Sequence, residues 1–228
     1  MSANEYVFAQ GMRATRATLA DWQARPWPVW GKIAAGSLGI AVALLSGVWL
    51  MASSATVDPA PIAVHGVNSP ADFSSYLQIL IRNSLVLALH AFACIAGFIA
   101  GSSIPMGSEG RGRFSRWFHE KAAQFAIVFV CAVTLFSLGT QVYYLGGIGG
   151  TIAWQVGLTP GQLVLTILPH ALIELTAVFL PLSAWLYFSR RGEWDRLLAA
   201  TFVTVAAAVP MLLVAAAIET LLWPRLLP

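Results

Sequence analysis

Charge is what this sequence has least of. Of its 228 residues only 10% are Asp, Glu, Lys or Arg, against roughly 25% in an average soluble domain. A soluble chain of this length could bury a sizeable core, but its surface would still need far more charge. Cysteine is also scarce. Cys94 and Cys131 are the two present, both inside apolar stretches, so no disulfide framework and no metal knuckle is implied. Long basic runs are missing and the net charge is only +3, which argues against nucleic acid as a partner. There is no phosphate loop, no Ser-His-Asp arrangement and no dinucleotide fingerprint. The expectation is a protein that is not an enzyme, with no metal and no cofactor.

What the chain has instead is apolar length: 58% of it is hydrophobic. Five segments are long enough to cross a hydrocarbon core of ~30 Å, which takes about 20 helical residues. They lie near residues 33–53, 83–103, 122–145, 162–188 and 197–222. The fold expected is an all-α polytopic membrane bundle, with residues 1–32 as an N-terminal segment and 33–228 as the transmembrane domain. That segment does not resemble a secretory signal, because its Arg13, Arg16, Arg25 and Lys32 precede an apolar run longer than a signal's core.

The basic residues sort by side. Eleven of the thirteen Lys and Arg precede the first span or fall between the second and third or the fourth and fifth. Only Arg82 and Arg225 fall on the other side. The positive-inside rule then predicts a cytoplasmic N-terminus and an external C-terminus in the cell's inner membrane. Trp27, Trp30, Trp117, Trp185 and Trp194 are expected at the inner interface, and Trp49, Trp154 and Trp223 at the outer. Arg82 is expected at the outer membrane edge, snorkelling to the headgroups.

Local punctuation refines the picture. Ser69-Pro70-Ala71-Asp72 offers an N-cap, a Pro at the first helical position and an acid in the first turn. Phe73, Leu77, Leu80 and Ile81 follow at helical spacing, which predicts one amphipathic helix on the outer surface before the second span. Gly146-Gly147-Ile148-Gly149-Gly150 predicts a tight outer turn. Thr159 and Gln162 have the spacing of a capping box opening the fourth span.

Ionisable residues inside a span are expensive and face the bundle interior. Four qualify: His90, His170, Glu174 and Glu219. His170 and Glu174 share a helix face at i, i+4, and His170 and Glu219 are expected to approach one another between the last two spans. Such a polar cluster serves either as interhelical hydrogen-bonding glue or as a proton or ion path, a metal site or a catalytic centre. Pro169 and Pro210 should kink their helices. Gly97-x-x-x-Gly101 allows close helix packing, either within the bundle or between copies of the chain.

Three stretches in order resemble the stage II sporulation protein M family. Arg82-Asn83-Ser84-Leu85, running into Phe92, Gly97 and Gly101, is similar to that family's Asn-rich approach to a glycine-bearing span. Leu168-Pro169-His170-Ala171-Leu172-Ile173-Glu174-Leu175 is similar to its Pro-His-Gly-x-x-Glu-Leu-Pro motif. The stretch from Ala216 through Glu219 to Pro224 resembles its terminal Ile-Glu-x-x-x-x-Pro ending. The resemblance covers residues 69–228 and marks Asn83, Pro169, His170, Glu174, Glu219 and Pro224 as family positions. It implies a scaffold or assembly factor of a cell-envelope complex; in the founding members that scaffold helps peptidoglycan-degrading enzymes act at a septum. Its partners would be membrane lipids, other envelope proteins and further copies of itself. The alternative from the residues is a transporter or channel subunit that handles protons, ions or a small solute through the His/Glu cluster.

Overall fold

The computed structural model describes residues 3–24, 26–64, 67–103 and 113–227. Side chains are described except at 3–12, 14, 99–103, 113–127 and 130, so Gly101 and Trp117 are placed on helices without their surroundings, and Arg25 lies outside. Among these residues the chain forms six α-helices: α1 (Ala3–Ala24), α2 (Trp27–Ser54), α3 (Phe73–Ser103), α4 (Arg113–Gln155), α5 (Pro160–Ser189) and α6 (Leu197–Leu221). Five of them are long and apolar enough to cross a membrane, over Trp27–Ser54, Phe73–Phe98, Cys131–Gln155, Pro160–Ser189 and Trp194–Arg225. The chain is an all-α, multi-pass membrane bundle.

Proline sets the first break. Pro26 precedes α2 and Pro28 occupies its first turn, where a missing N–H costs nothing because that donor has no intrahelical partner. The same residue type would interrupt α1 if that helix ran on. α2 therefore begins at Trp27, six residues before the start expected from hydropathy.

α5 is the central helix, packed by α2, α3, α4 and α6. It runs antiparallel to α2, since Ser183 Oγ donates to the Ile33 carbonyl at 2.8 Å while Gly161 lies under Trp49 at the other end. Ser37 Oγ donates to the Thr176 carbonyl between those points. α3 runs parallel to α5, and Gly97 lets it approach: a Cβ there would come within 2.9 Å of Trp185 Nε1 and of Leu197 Cδ1. Gly97 thus faces the interior of the bundle. Trp185 is not an interface residue as expected but a core residue, 2% exposed. Trp22 of α1 stacks on Phe188 with ring centroids 5.5 Å apart and meets Trp30 edge-on at 4.9 Å. These contacts anchor α1 at the end of the bundle that carries Lys32, Arg190, Arg191 and Arg196, called the basic end below.

Three sequence expectations fail for physical reasons. The glycines at 146–150 make no turn; α4 continues through them to Gln155. They permit close packing instead. A Cβ at Gly146 would collide with Met51 of α2, and one at Gly150 would lie 2.9 Å from the Ala52 carbonyl oxygen. Neither is the segment before the second span a separate surface helix. Nothing between Phe73 and Asn83 breaks a helix, so these residues are the first turns of α3 itself. Nor does the helix start at Pro70. Asn68 holds the preceding chain in a turn, accepting from Val64 N–H and donating to the Ile62 carbonyl. Asp72 takes the N-cap role, accepting from the Ser75 backbone N–H at 3.0 Å and from the Ser74 and Ser75 hydroxyls.

Candidate functional site

Polar side chains of α2, α3, α5 and α6 are arranged along α5 in three tiers. Thr159 and Gln162 begin α5 with the capping box that their spacing predicts: the Thr159 hydroxyl accepts from Gln162 N–H, and the Gln162 side chain accepts from Thr159 N–H at 2.9 Å.

The first tier joins α5 to the end of α6. Trp223 Nε1 donates to Thr166 Oγ1 at 3.2 Å, and the Trp223 ring meets His170 edge-on with centroids 6.0 Å apart. His170 is buried, and its Nδ1 has no hydrogen-bond partner among the described residues. No ion pair within 4 Å joins His170 to Glu219 among the described residues. Trp223 lies one turn beyond Glu219 and brings its indole beside the imidazole.

The second tier is the charged one. The Asn83 amide of α3 lies beside the Glu174 carboxylate of α5, and the Arg82 guanidinium attracts that carboxylate. Glu219 of α6 lies within electrostatic range of both Glu174, which repels it, and Arg82, which attracts it. Both carboxylates are half-buried. Arg82 is exposed, as a snorkelling side chain is, and its charge also acts on both glutamates. α3 starts ten residues before the predicted span, so Arg82 stands within the helix, one residue before Asn83. No ion pair within 4 Å joins it to either among the described residues; its influence is that of a nearby charge.

The third tier is backbone-directed. Pro181, in the middle of α5, has no N–H and cannot satisfy the carbonyl four residues back. Side chains from neighbouring helices gather at carbonyls around this point. His90 Nδ1–H donates to the Val178 carbonyl at 2.8 Å, Cys94 Sγ to the Pro181 carbonyl at 3.1 Å, and Ser37 Oγ to the Thr176 carbonyl. The His90 ring also packs on Phe179 at 5.5 Å. His90 thus belongs to the packing around the proline rather than to the carboxylates.

The four ionisable residues picked out from sequence are brought together only in part. Glu174 and Glu219 share one site; His170 lies on one side of it and His90 on the other. Asn83 enters the site, Pro169 precedes His170 in α5, and Pro224 follows Trp223 in a short 3-10 turn, Trp223–Arg225. Sequence reasoning missed Pro181 and the role of Arg82. Two signals could have found them: a second mid-span Pro twelve residues after Pro169, and two intramembrane carboxylates needing one cation. No group of three or more His, Cys, Asp and Glu suited to a metal exists among the described residues.

Chemically, the charged tier ties α3, α5 and α6 together and leaves two carboxylates opposite one arginine. Compared with known protein families, curated proteins and solved structures, the chain matches none of them.

Proposed function

We propose that this chain is a membrane scaffold or assembly factor of a cell-envelope complex, related to the stage II sporulation protein M family and without catalytic chemistry of its own. The observation that carries the reading is the filling of the bundle between the charged tier and the basic end. Phe179, Trp185, Phe188, Leu197 and Leu212 are essentially fully buried there, a packed apolar core on the basic-end side of the glutamates. Polar groups whose neighbours are mostly other protein groups act as interhelical glue. The ordered motifs at Asn83, at Pro169 through Glu174, and at Glu219 through Pro224 support the family assignment.

The orientation that goes with this reading places the basic end in the cytoplasm. Lys32, Arg190, Arg191 and Arg196 lie there, and the positive-inside rule then leaves the charged tier nearer the outer face of an inner membrane. The helix ends, the loop 55–72 and the C-terminal turn would offer the surfaces for envelope partners.

Affinity purification from native membranes, read by mass spectrometry, tests the scaffold. A stable stoichiometric envelope partner is expected. Its absence, together with proton- or ion-dependent flux in proteoliposomes that Glu174→Gln abolishes, would replace the scaffold by a transporter. That second reading has one observation in its favour, the two carboxylates facing a single arginine.

A further inference from the structure

A groove of about 840 Å³ runs between α1 and α6 at the basic end, lined by Thr15, Arg16 and Leu19 on one side and by residues from Leu198 to Pro210 on the other. Its α1 wall is set by the way the end of that helix is held. Trp22, stacked on Phe188, and Asp21, 4.0 Å from Arg196, hold the last turns of α1 against the bundle. One to two turns earlier, the small Ala206 and the interrupted helix at Pro210 leave α6 without bulk to fill the gap.

The walls are almost wholly apolar, with Leu19, Phe202, Val205 and Val209 prominent. Two features at the α1 side break that pattern. Thr15 Oγ1 is buried and has no hydrogen-bond partner among the described residues, although a buried hydroxyl left unpaired is costly. Arg16 has no carboxylate within 4 Å among the described residues, whereas Arg196 has two. Arg13 lies on the same face of α1 at i−3 and is exposed. An apolar slot of this volume suits a small amphiphile, and a hydroxyl unpaired among the described residues, beside guanidinium groups, suits a phosphate oxygen.

We infer that this groove binds one anionic phospholipid of the surrounding bilayer, with an acyl chain along Leu19, Phe202, Val205 and Val209 and the headgroup phosphate on Thr15 and Arg16. The occupant is a bilayer lipid rather than a peptide because the slot adjoins membrane-spanning α6 and its polar groups are cationic and hydrogen-donating. The bound lipid would fasten α1 to α6 where protein contacts alone leave a gap. This inference stands apart from the scaffold reading, since it uses neither the charged tier nor a partner protein.

Native mass spectrometry of the full chain, released from nanodiscs of mixed phosphatidylglycerol and phosphatidylethanolamine, tests it. One retained phosphatidylglycerol per chain is expected. Ala206→Phe, at an exposed position on the groove wall, should abolish retention; Val209→Phe, one turn on, should do the same if Ala206→Phe fails to fold by circular dichroism. Arg16→Gln should lower the preference for phosphatidylglycerol about fivefold, the effect of one basic side chain at the headgroup level. Val133→Phe, on an exposed face of α4, should change nothing. Absence of a retained lipid in the wild type, retention unchanged by both groove-filling variants, or an unaltered headgroup preference in Arg16→Gln would overturn the site. Protection by inorganic phosphate equal to that by the lipid would also overturn it, by showing an anion site without an acyl slot.

Discussion

The Asn83 amide of α3 lies beside the Glu174 carboxylate of α5, its neighbour across two helices in the charged tier and the donor placed to bond it. Removing the donor while keeping its volume should cost more than neutralising the acceptor. Asn83→Leu leaves a half-buried carboxylate without its partner, a loss of about 1–3 kcal/mol. Glu174→Gln retains an acceptor oxygen and should lose about 0.6 kcal/mol, the average for a hydrogen bond in a membrane bundle. Reversible unfolding in mixed micelles measures both, and equal losses would argue against the bond.

Arg82 faces two carboxylates that repel one another. Arg82→Ala should lower the unfolding midpoint, and Arg82→Lys should restore part of it. Adding Glu219→Gln to Arg82→Ala should recover stability, because the repulsion it leaves behind is removed. The coupling in this double-mutant cycle should be on the order of 1 kcal/mol. Strict additivity would place the guanidinium out of range of Glu219.

The glycines of α4 provide a matched pair. At Gly150 a Cβ would lie 2.9 Å from a backbone oxygen of α2, whereas at Gly139 nothing lies within 4 Å. Gly150→Ala should destabilise by about 1–3 kcal/mol through forced separation of the helices. Gly139→Ala should stabilise by up to about 1 kcal/mol, since alanine is the better helix former. Thermal unfolding of the two variants, compared with the wild type, should show shifts of opposite sign.

Asp72 gives the α3 start a pH dependence. The Ser75 backbone N–H first, then the Ser74 and Ser75 hydroxyls, hold its carboxyl below the ordinary value of 3.8. A lowered folded-state value means that the stabilisation is complete above the ordinary carboxyl range and is lost as pH falls through the lowered value. Asp72→Asn keeps a good N-cap without a titrating group. Hydrogen-exchange protection factors at Ser75 and Tyr76, taken relative to the intrinsic rate at each pH, should therefore fall in acid for the wild type, while Asp72→Asn should lack that acid-dependent loss.

How much of this was legible beforehand differs by feature. The number of helices able to cross a membrane, the capping box at Thr159 and Gln162, and the choice of Glu174 and Glu219 as buried polar residues all follow from local composition. Hydrophobic length, cap chemistry and the cost of charge in lipid are properties of short segments, so they survive in one dimension. Glycine was ambiguous, because its missing Cβ serves a turn and a close contact equally well. Only the approach of α2 to Gly146 and Gly150 settles which one it serves.

Partners were not legible at all. That Glu174 meets Asn83, that His170 meets Trp223, and that His90 reaches the Val178 carbonyl depend on the rotation and register of α3 and α6 against α5. A shift of one residue turns a helical side chain by about 100°. Each span is apolar over nearly its whole circumference, so the sequence fixes its length but does not mark the face that turns inward. That choice is made by packing: Gly97 against Trp185, Ser183 on the Ile33 carbonyl, and the carbonyls around Pro181 that only neighbouring helices can reach.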